Sequence, residues 1–100
     1  MTGGPMITLH IEHEISSFET WHEAFTAFAE ARCHAGVQAE RVSQPVGDAH
    51  YVVVALDFET VEQAEVFKTF LETQVWAVPA NAPALVGSPR TLILGPPIDA

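Results

Sequence analysis

The sequence predicts an α+β fold whose strands and helices follow the order βαββαβ. Three observations predict it: an opening segment of alternating apolar and polar residues, two helical stripes that each begin at capping residues, and further apolar strands around them. One hundred residues suffice for one core, so we expect a single domain over residues 6–97. Residues 1–5 are expected to be a flexible leader and residues 98–100 a tail.

The first strand and the first helix are predicted from two different periodicities. Residues 6–13 alternate, with aliphatic side chains on one face and polar side chains on the other. Ser16 and Glu19 have the spacing of a capping box, which predicts a helix from about residue 17. Gly36 is placed to end that helix in a left-handed conformation. The helix has an aromatic stripe typical of core packing: Phe18, Trp21, Phe25 and Phe28.

The middle of the chain predicts two strands joined by a turn. Residues 37–45 form the second strand, whose mixed parity indicates an edge position or a bulge. Residues 47–49, Gly-Asp-Ala, predict the turn. Residues 50–58 are apolar on both faces, as expected of a central strand.

The last part of the chain predicts a helix, an irregular segment and a strand. Thr60 and Gln63 form a second capping box, which marks the start of the second helix. The proline-containing stretch 76–89 is too apolar for a solvated linker, so we expect an ordered segment with a short helix near 82–86. Residues 90–94 are predicted to be the last strand.

The order of elements also predicts which face of the sheet is covered. Right-handed crossovers place both helices on one face of a four-stranded antiparallel sheet, a ferredoxin-like arrangement. We expect a second copy of the chain to cover the other face and enclose a cavity, because that face mixes apolar and titratable groups. The uncovered face is predicted to carry Thr8, His10, Glu12, Tyr51, Val53, Ala55 and Asp57.

Composition excludes several classes of partner and site. The net charge is −9 and the four Lys and Arg residues do not cluster, which argues against nucleic acid and against anionic membranes. No apolar run approaches the roughly 20 residues needed to span a bilayer. A single cysteine, Cys33, excludes an intrachain disulfide and fits a cytoplasmic location. The histidines lack a metal-binding spacing on a helix, so no metal site and no cofactor are predicted.

His10 is the strongest candidate for a catalytic residue. It is predicted to lie on the uncovered face with Glu12 on the same side, where a carboxylate would stabilise the imidazolium and the imidazole could act as a general base. The alternative is that His10 is a polar interface residue, hydrogen-bonded to the partner. Arg41 is expected to pair with a ligand carboxylate or with Glu12, or else to form a surface ion pair. Trp76 is expected to help close the cavity. The remaining candidate ligand-binding residues are Tyr51, Val53 and Ala55.

The chain resembles the dimeric α+β barrel proteins, and within them the antibiotic biosynthesis monooxygenase-like and small cyclase-like groups. The resemblance implies a homodimer whose sheets face each other around a cavity. Oxygenases of the group use an Asn, a Trp and a His near the cavity and need neither flavin nor metal. The only asparagine here is Asn81, in the proline-containing stretch. The resemblance runs from Ile7 to Leu94 and is carried by residues 18–25, 35–37, 47–54, 58–60 and 85–89.

Three functions follow from these observations. The first is a dimeric protein that binds, and as an enzyme transforms, an apolar aromatic or polyketide-like molecule in the manner of a cofactor-free monooxygenase or cyclase. The second is a non-catalytic ligand-binding or structural homodimer. The third, implied by relatives that bind haem, is a haem-binding or haem-degrading protein. An open cavity reached by His10 would favour the first over the second.

Overall fold

A computed structural model describes residues 6–96 and confirms the predicted α+β fold. Its four strands form one antiparallel sheet in the order β2-β3-β1-β4. The predicted leader (1–5) and tail (98–100) lie outside the described residues. The elements are β1 (Ile7–Ile15), α1 (Phe18–Ala27), α2 (Ala29–His34), β2 (Ala39–Ser43), β3 (Tyr51–Phe58), α3 (Val61–Phe70), a π-helical turn (Leu71–Val75) and β4 (Leu85–Leu94).

The strand register places the predicted residues on the predicted faces. On one face, His10 lies opposite Ala55 and Glu12 lies opposite Val53. The other face is covered by the helices and is buried. We call the uncovered side the open face. It consists of Thr8, His10, Glu12 and Glu14 of β1, Ala39, Arg41 and Ser43 of β2, Tyr51, Val53, Ala55 and Asp57 of β3, and Val86, Arg90, Leu92 and Leu94 of β4.

The core lies between the sheet and the helices. Leu9 and Phe58 are completely buried, and the Phe58 ring lies 6.0 Å from that of Phe67 on α3. Each fully buried side chain of this size contributes roughly 1.5–3 kcal/mol relative to an exposed one. This packing fixes the strand register, because a slip of one residue would turn the aliphatic set of β1 toward the open face.

The first helix differs from the prediction in two ways. Its N-cap is Ser17, not Ser16, and the Ser17 hydroxyl accepts a hydrogen bond of 3.3 Å from the Thr20 backbone N–H. The helix is also split at Phe28, where φ is −102° and ψ is 17°, so that α2 follows as a separate helix. The Phe28 ring packs on the edge of Phe70 at 6.1 Å. Gly36 ends α2 with φ +95°, as predicted.

The C-terminal part of the chain corrects a second prediction. No helix forms near residues 82–86; turns occupy residues 76–84, and β4 begins at Leu85. The strand is longer than predicted, and it contains a bulge: Glu12 pairs with Arg90, whereas Glu14 pairs with Val86. The bulge accommodates Pro89, because a proline lacks the N–H that the hydrogen-bond ladder of a regular edge strand would use. The capping box of Thr60 and Gln63 at the start of α3 is confirmed.

Candidate functional site

The open face carries a hydrogen-bonded cluster of three predicted site residues. His10 Nε2 lies 3.0 Å from Glu12 Oε2, and the Tyr51 hydroxyl donates a hydrogen bond of 2.9 Å to Glu12 Oε1. His10 and Glu12 alternate with core residues along β1, so both project from the same face. Their side chains are about one-quarter exposed. Val53 and Ala55 lie directly opposite Glu12 and His10 on β3 and form the apolar floor beside the cluster.

The hydrogen bonds in this cluster shift the acidities of Glu12 and Tyr51 in opposite directions. The pKa of Glu12 is lowered, first by its hydrogen bond with His10 and then by that with Tyr51. The pKa of Tyr51 is raised, because loss of its proton would break the hydrogen bond to the Glu12 carboxylate. Arg90, across from Glu12 on β4, adds a smaller attraction to the carboxylate. The Glu12 carboxylate thus lies between two side chains that can each donate a hydrogen bond to it.

Arg41 belongs to a separate ion pair on the same face. Its Nη1 lies 3.1 Å from Asp57 Oδ2, and the Thr8 hydroxyl donates a hydrogen bond of 2.7 Å to Asp57 Oδ1. The pKa of Asp57 is lowered, first by the hydrogen bond from Arg41. Arg41 lies opposite Ala55, which makes Asp57 its diagonal neighbour, whereas Glu12 is on the far side of β3. Arg41 therefore pairs with Asp57 and not with Glu12.

The second candidate site is a pocket on the other side of the sheet, between the core and the helices. We call it the inner pocket; its volume is about 70 Å³. Apolar and aromatic side chains from the sheet, all three helices, the π-helical turn and residues 76–84 form its wall, with few polar groups. The lining residues are Ile11, His13, Trp21, Ala24, Phe25, Phe28, Arg32, Val54, Leu56, Phe67, Leu71, Val75, Trp76, Asn81, Ala82, Pro83, Ala84 and Leu85.

His13 is the titratable group of the inner pocket that can exchange a proton. Only 5% of it is exposed, and burial lowers its pKa because the charged imidazolium is poorly solvated there. His13 Nδ1 lies 2.9 Å from the carbonyl oxygen of Glu14. A carbonyl only accepts, so Nδ1 carries the proton and Nε2 of the neutral ring keeps its lone pair. Neutral His13 therefore has the electronic state of a general base.

Arg32 is the buried charge of the inner pocket, and each of its three nitrogens already donates a hydrogen bond. Its Nε donates to Glu40 Oε2 at 2.7 Å, and its Nη1 donates to the carbonyl oxygen of Phe25 at 2.6 Å. The guanidinium also lies 3.7 Å from the centre of the Phe25 ring, a cation–π contact. Arg32 thus ties α1 and α2 to β2 and forms a fixed part of the pocket wall.

Trp76 and Asn81 contribute to the wall of the inner pocket from the segment that follows the π-helical turn. The Asn81 side-chain amide donates a hydrogen bond of 2.7 Å to the carbonyl oxygen of Gln74. Beyond Trp76 lies an open depression of about 290 Å³, which we call the outer groove. Trp76 and Leu85 line both spaces. The outer groove is lined by Glu72, Trp76, Ala77, Leu85, Gly87, Ser88, Pro89 and Thr91.

The structure brings six of the seven predicted site residues together and separates the seventh. His10, Glu12, Arg41, Tyr51, Val53 and Ala55 share the open face, whereas Trp76 lies across the sheet from them. The sequence analysis did not single out His13, Arg32 or Asn81 as site residues. His13 carried a usable signal, because it is the one polar residue on the aliphatic face of β1.

Comparison with known proteins bears on the fold. A candidate antibiotic biosynthesis monooxygenase from Nitrosomonas europaea superposes with a TM-score of 0.65 at 15% identity, covering 96% of this chain and 94% of that one. A protein of unknown function from Nitrosomonas europaea gives 0.65 at 14%, with 91% and 88% covered. A dimeric ferredoxin-like protein from an uncultured marine organism gives 0.64 at 13%, with 91% and 96% covered.

The chain has the fold of these proteins. The resemblance stated from the sequence is thereby confirmed at the level of the fold. No family model and no curated protein sequence matches the chain. Among residues 6–96, no helix has the length and apolar character needed to cross a membrane.

Proposed function

We propose that the protein is a homodimer that binds a compact, apolar aromatic molecule, held in the inner pocket of each subunit. The observation that carries the proposal is the character of that pocket: two indoles and several aliphatic side chains surround very few polar groups. Small-molecule sites typically combine an apolar wall with a small number of placed polar groups. Here those groups are His13 and Asn81, since Arg32 is held by Glu40 and Phe25.

The homodimer is supported by the open face and by two relatives. Leu92 and Leu94 project from β4 on this face with 54% and 42% of their surface exposed. Large apolar side chains exposed together on one sheet face are typical of a surface that another protein covers. Two of the structurally similar proteins are described as dimeric and ferredoxin-like. A second copy seated on the open face would cover these leucines.

Replacing Leu92 by Glu tests the dimer. A buried, unpaired carboxylate in a self-complementary interface is repeated on both subunits, so we expect the variant to be monomeric at micromolar concentration. Val66→Glu is the matched control, because Val66 is 69% exposed on α3, away from the open face. Light scattering coupled to size exclusion reports the mass. A monomeric wild-type chain, or a dimeric Leu92→Glu variant, would contradict this part of the proposal.

A matched pair of alanine substitutions tests where the ligand binds. Ala24 lines the inner pocket, whereas Ala55 lies on the open face opposite His10. Phenol is a suitable first ligand, with its binding followed by the NMR signals of the two indole N–H groups. We expect Ala24→Leu to fill the pocket and abolish binding, and Ala55→Leu to leave it intact. The reverse result would move the ligand to the open face, and no binding by the wild type would refute the proposal.

A reaction at the inner pocket is favoured by one further observation. The residue types that the resemblance implies for a cofactor-free oxygenase all line this pocket: His13, Asn81 and the two tryptophans. We propose that neutral His13 accepts a proton at Nε2 from an acidic O–H or C–H of the bound molecule, leaving an electron-rich anion. In a monooxygenase-like reaction that anion would then react with dioxygen.

Proton transfer can be measured without dioxygen. The α-protons of 2-tetralone, an enolisable aromatic ketone, exchange with deuterium when a base removes them, and NMR in D₂O follows the exchange. We expect the wild type to accelerate exchange, His13→Leu to lose the acceleration and His10→Ala to keep it. Exchange at the uncatalysed rate with the wild type would leave only the binding function.

The cluster on the open face is the second candidate for proton transfer. It is favoured by the two hydrogen bonds that join His10, Glu12 and Tyr51. In a dimer with facing sheets, His10 would be the base, Glu12 its partner and Tyr51 the orienting group. Loss of exchange in His10→Ala, with His13→Leu unaffected, would favour this site over the inner pocket.

A further inference from the structure

We infer that Trp76 is the specificity-determining side chain of the inner pocket and sets the largest ligand that it accepts. The inference rests on the proposed function, namely that this pocket holds the ligand. It adds that the bound molecule is a fused bicyclic aromatic, with one ring in the inner pocket and the other in the outer groove. Trp76 is the partition between these two spaces.

A ligand of two fused rings needs more room than the inner pocket provides, so the side chain between the two spaces must move. The inner pocket measures about 70 Å³, whereas a cavity that binds a benzene ring measures roughly 150 Å³. The outer groove measures about 290 Å³. Joined, the two spaces reach the range of roughly 300–1,000 Å³ that is typical of small-molecule sites. A single ring therefore requires only local expansion of the inner pocket, whereas a second fused ring requires the two spaces to be joined by displacement of a shared side chain.

Two side chains line both spaces, and the backbone favours Trp76 as the one that moves. Leu85 opens β4 and pairs with Ile15 in the sheet, so its position is fixed by the ladder. Trp76 lies outside the sheet, directly after the π-helical turn, and its ring is only partly buried. An indole at the mouth of a pocket can rotate about two side-chain torsions without disturbing a strand.

The π-helical turn sets the direction in which the Trp76 side chain leaves the backbone. The Trp76 N–H donates a hydrogen bond of 2.7 Å to the carbonyl oxygen of Leu71, five residues earlier. Each residue inserted into a helix rotates the following side chains by roughly 100°. Such turns occur frequently at functional sites. The bond from Asn81 to Gln74 holds the segment that follows, so the expected motion is rotation of the indole and not of the backbone.

The chemistry of the walls indicates where each end of the ligand lies. His13 lines the inner pocket, and because its Nδ1 donates to the Glu14 carbonyl oxygen, its Nε2 is the nitrogen left to accept a hydrogen bond from an acidic hydroxyl. The outer groove is more polar and open, with Ser88, Thr91 and Glu72 on its wall. A naphthol satisfies both ends: its hydroxyl-bearing ring fits the inner pocket, and its second ring reaches the groove once Trp76 turns.

The test compares phenol with 1-naphthol by isothermal titration calorimetry. Trp76→Ala removes the partition, so we expect its affinity for 1-naphthol to rise by about tenfold or more, because the second ring is buried without displacing an indole. Its affinity for phenol should change much less. Leu71→Ala is the control. Leu71 lines the inner pocket but not the outer groove, so its replacement by Ala enlarges the pocket without opening the groove.

The outcomes separate the inference from the proposed function. If phenol binds the wild type but Trp76→Ala gains no preference for 1-naphthol, or Leu71→Ala gains the same preference, Trp76 does not set ligand size. If neither compound binds the wild type or any variant, the proposed function itself fails. Should Trp76→Ala not fold, as judged by its thermal melting, Trp76→Leu also shortens the partition and is held to the same expectation.

Discussion

His10 and His13 lie three residues apart on β1, yet their imidazoles project from opposite faces of the sheet. His10 lies on the open face beside Glu12, whereas His13 is 5% exposed and lines the inner pocket. The odd spacing places them on opposite faces, because side chains alternate along a strand. One strand thus supplies a histidine to each candidate site, and the two sites can be tested with separate substitutions.

The first prediction concerns the pH dependence of stability. Burial lowers the pKa of His13 in the folded chain, so the unfolded chain binds its proton more readily. The stability from keeping His13 neutral is present above the ordinary histidine pKa of about 6.5 and is lost as pH falls below it. Chemical unfolding at several pH values between about 6.5 and 5 should show this loss, and His13→Leu should flatten it.

The control for this prediction is His50→Gln, at an exposed position in the turn before β3. It should leave the pH dependence as steep as in the wild type. An unchanged slope in His13→Leu would mean that another group accounts for the loss.

The second prediction concerns the acidity of Glu12. Tyr51→Phe removes a hydrogen bond that stabilises the carboxylate, so the pKa of Glu12 should rise toward its ordinary value of about 4.3. Stability from this lowered pKa is present above that value and is lost as pH falls through the folded pKa. The ¹³C shift of the Glu12 carboxyl against pH measures the change. Asp57 is the internal reference, because Arg41 and Thr8 hold it and its titration should not move.

The third prediction compares a buried arginine with an exposed one. Arg32→Met should lower the free energy of unfolding by about 1–3 kcal/mol, since it removes charge-assisted hydrogen bonds to Glu40 and to the Phe25 carbonyl. Arg41→Met should cost no more than about 1 kcal/mol, because Arg41 is 61% exposed in its pair with Asp57. Urea denaturation measures both. Equal losses would contradict the assigned role of Arg32 in joining α1 and α2 to β2.

The fourth prediction compares two glycines with positive φ. Substitution by Ala at Gly36 (φ +95°) or at Gly47 (φ +85°) should lower the free energy of unfolding by about 1–2 kcal/mol, because a Cβ disfavours this conformation. Gly36→Ala should cost more, since its Cβ would lie 2.8 Å from Gln63 Nε2, whereas nothing lies within 4 Å at Gly47. Gln63 also accepts from the Thr60 N–H in the capping box of α3. Equal melting temperatures for the two variants would contradict a clash between the added Cβ and Gln63.

Local signals predicted the sheet faces and the second helix start because each depends on neighbouring residues alone. The alternation of β1 and the capping box at Thr60 needed no tertiary information. The break at Phe28 and the bulge before Arg90 depend on packing and on pairing with another strand, which a single segment does not report. Ser16 and Ser17 were equally good caps by residue type, and the tertiary path of the chain decided between them.

The open face could be predicted from the sequence, whereas the inner pocket could not. His10, Glu12 and Tyr51 fall on one face by parity and topology together. The inner pocket joins His13 to Trp76 and Asn81, which are far apart in sequence and are brought together by the π-helical turn and by residues 76–84. No periodicity specifies the path of such an irregular segment.

The central claim is that the ligand lies between the sheet and the helices of each subunit, and a crystal structure of the wild-type protein soaked with phenol tests it most directly. We predict a phenol molecule in contact with Trp21 and with its hydroxyl directed at His13 Nε2. A phenol bound only beside His10 and Tyr51 on the open face, with the inner pocket empty, would contradict the claim.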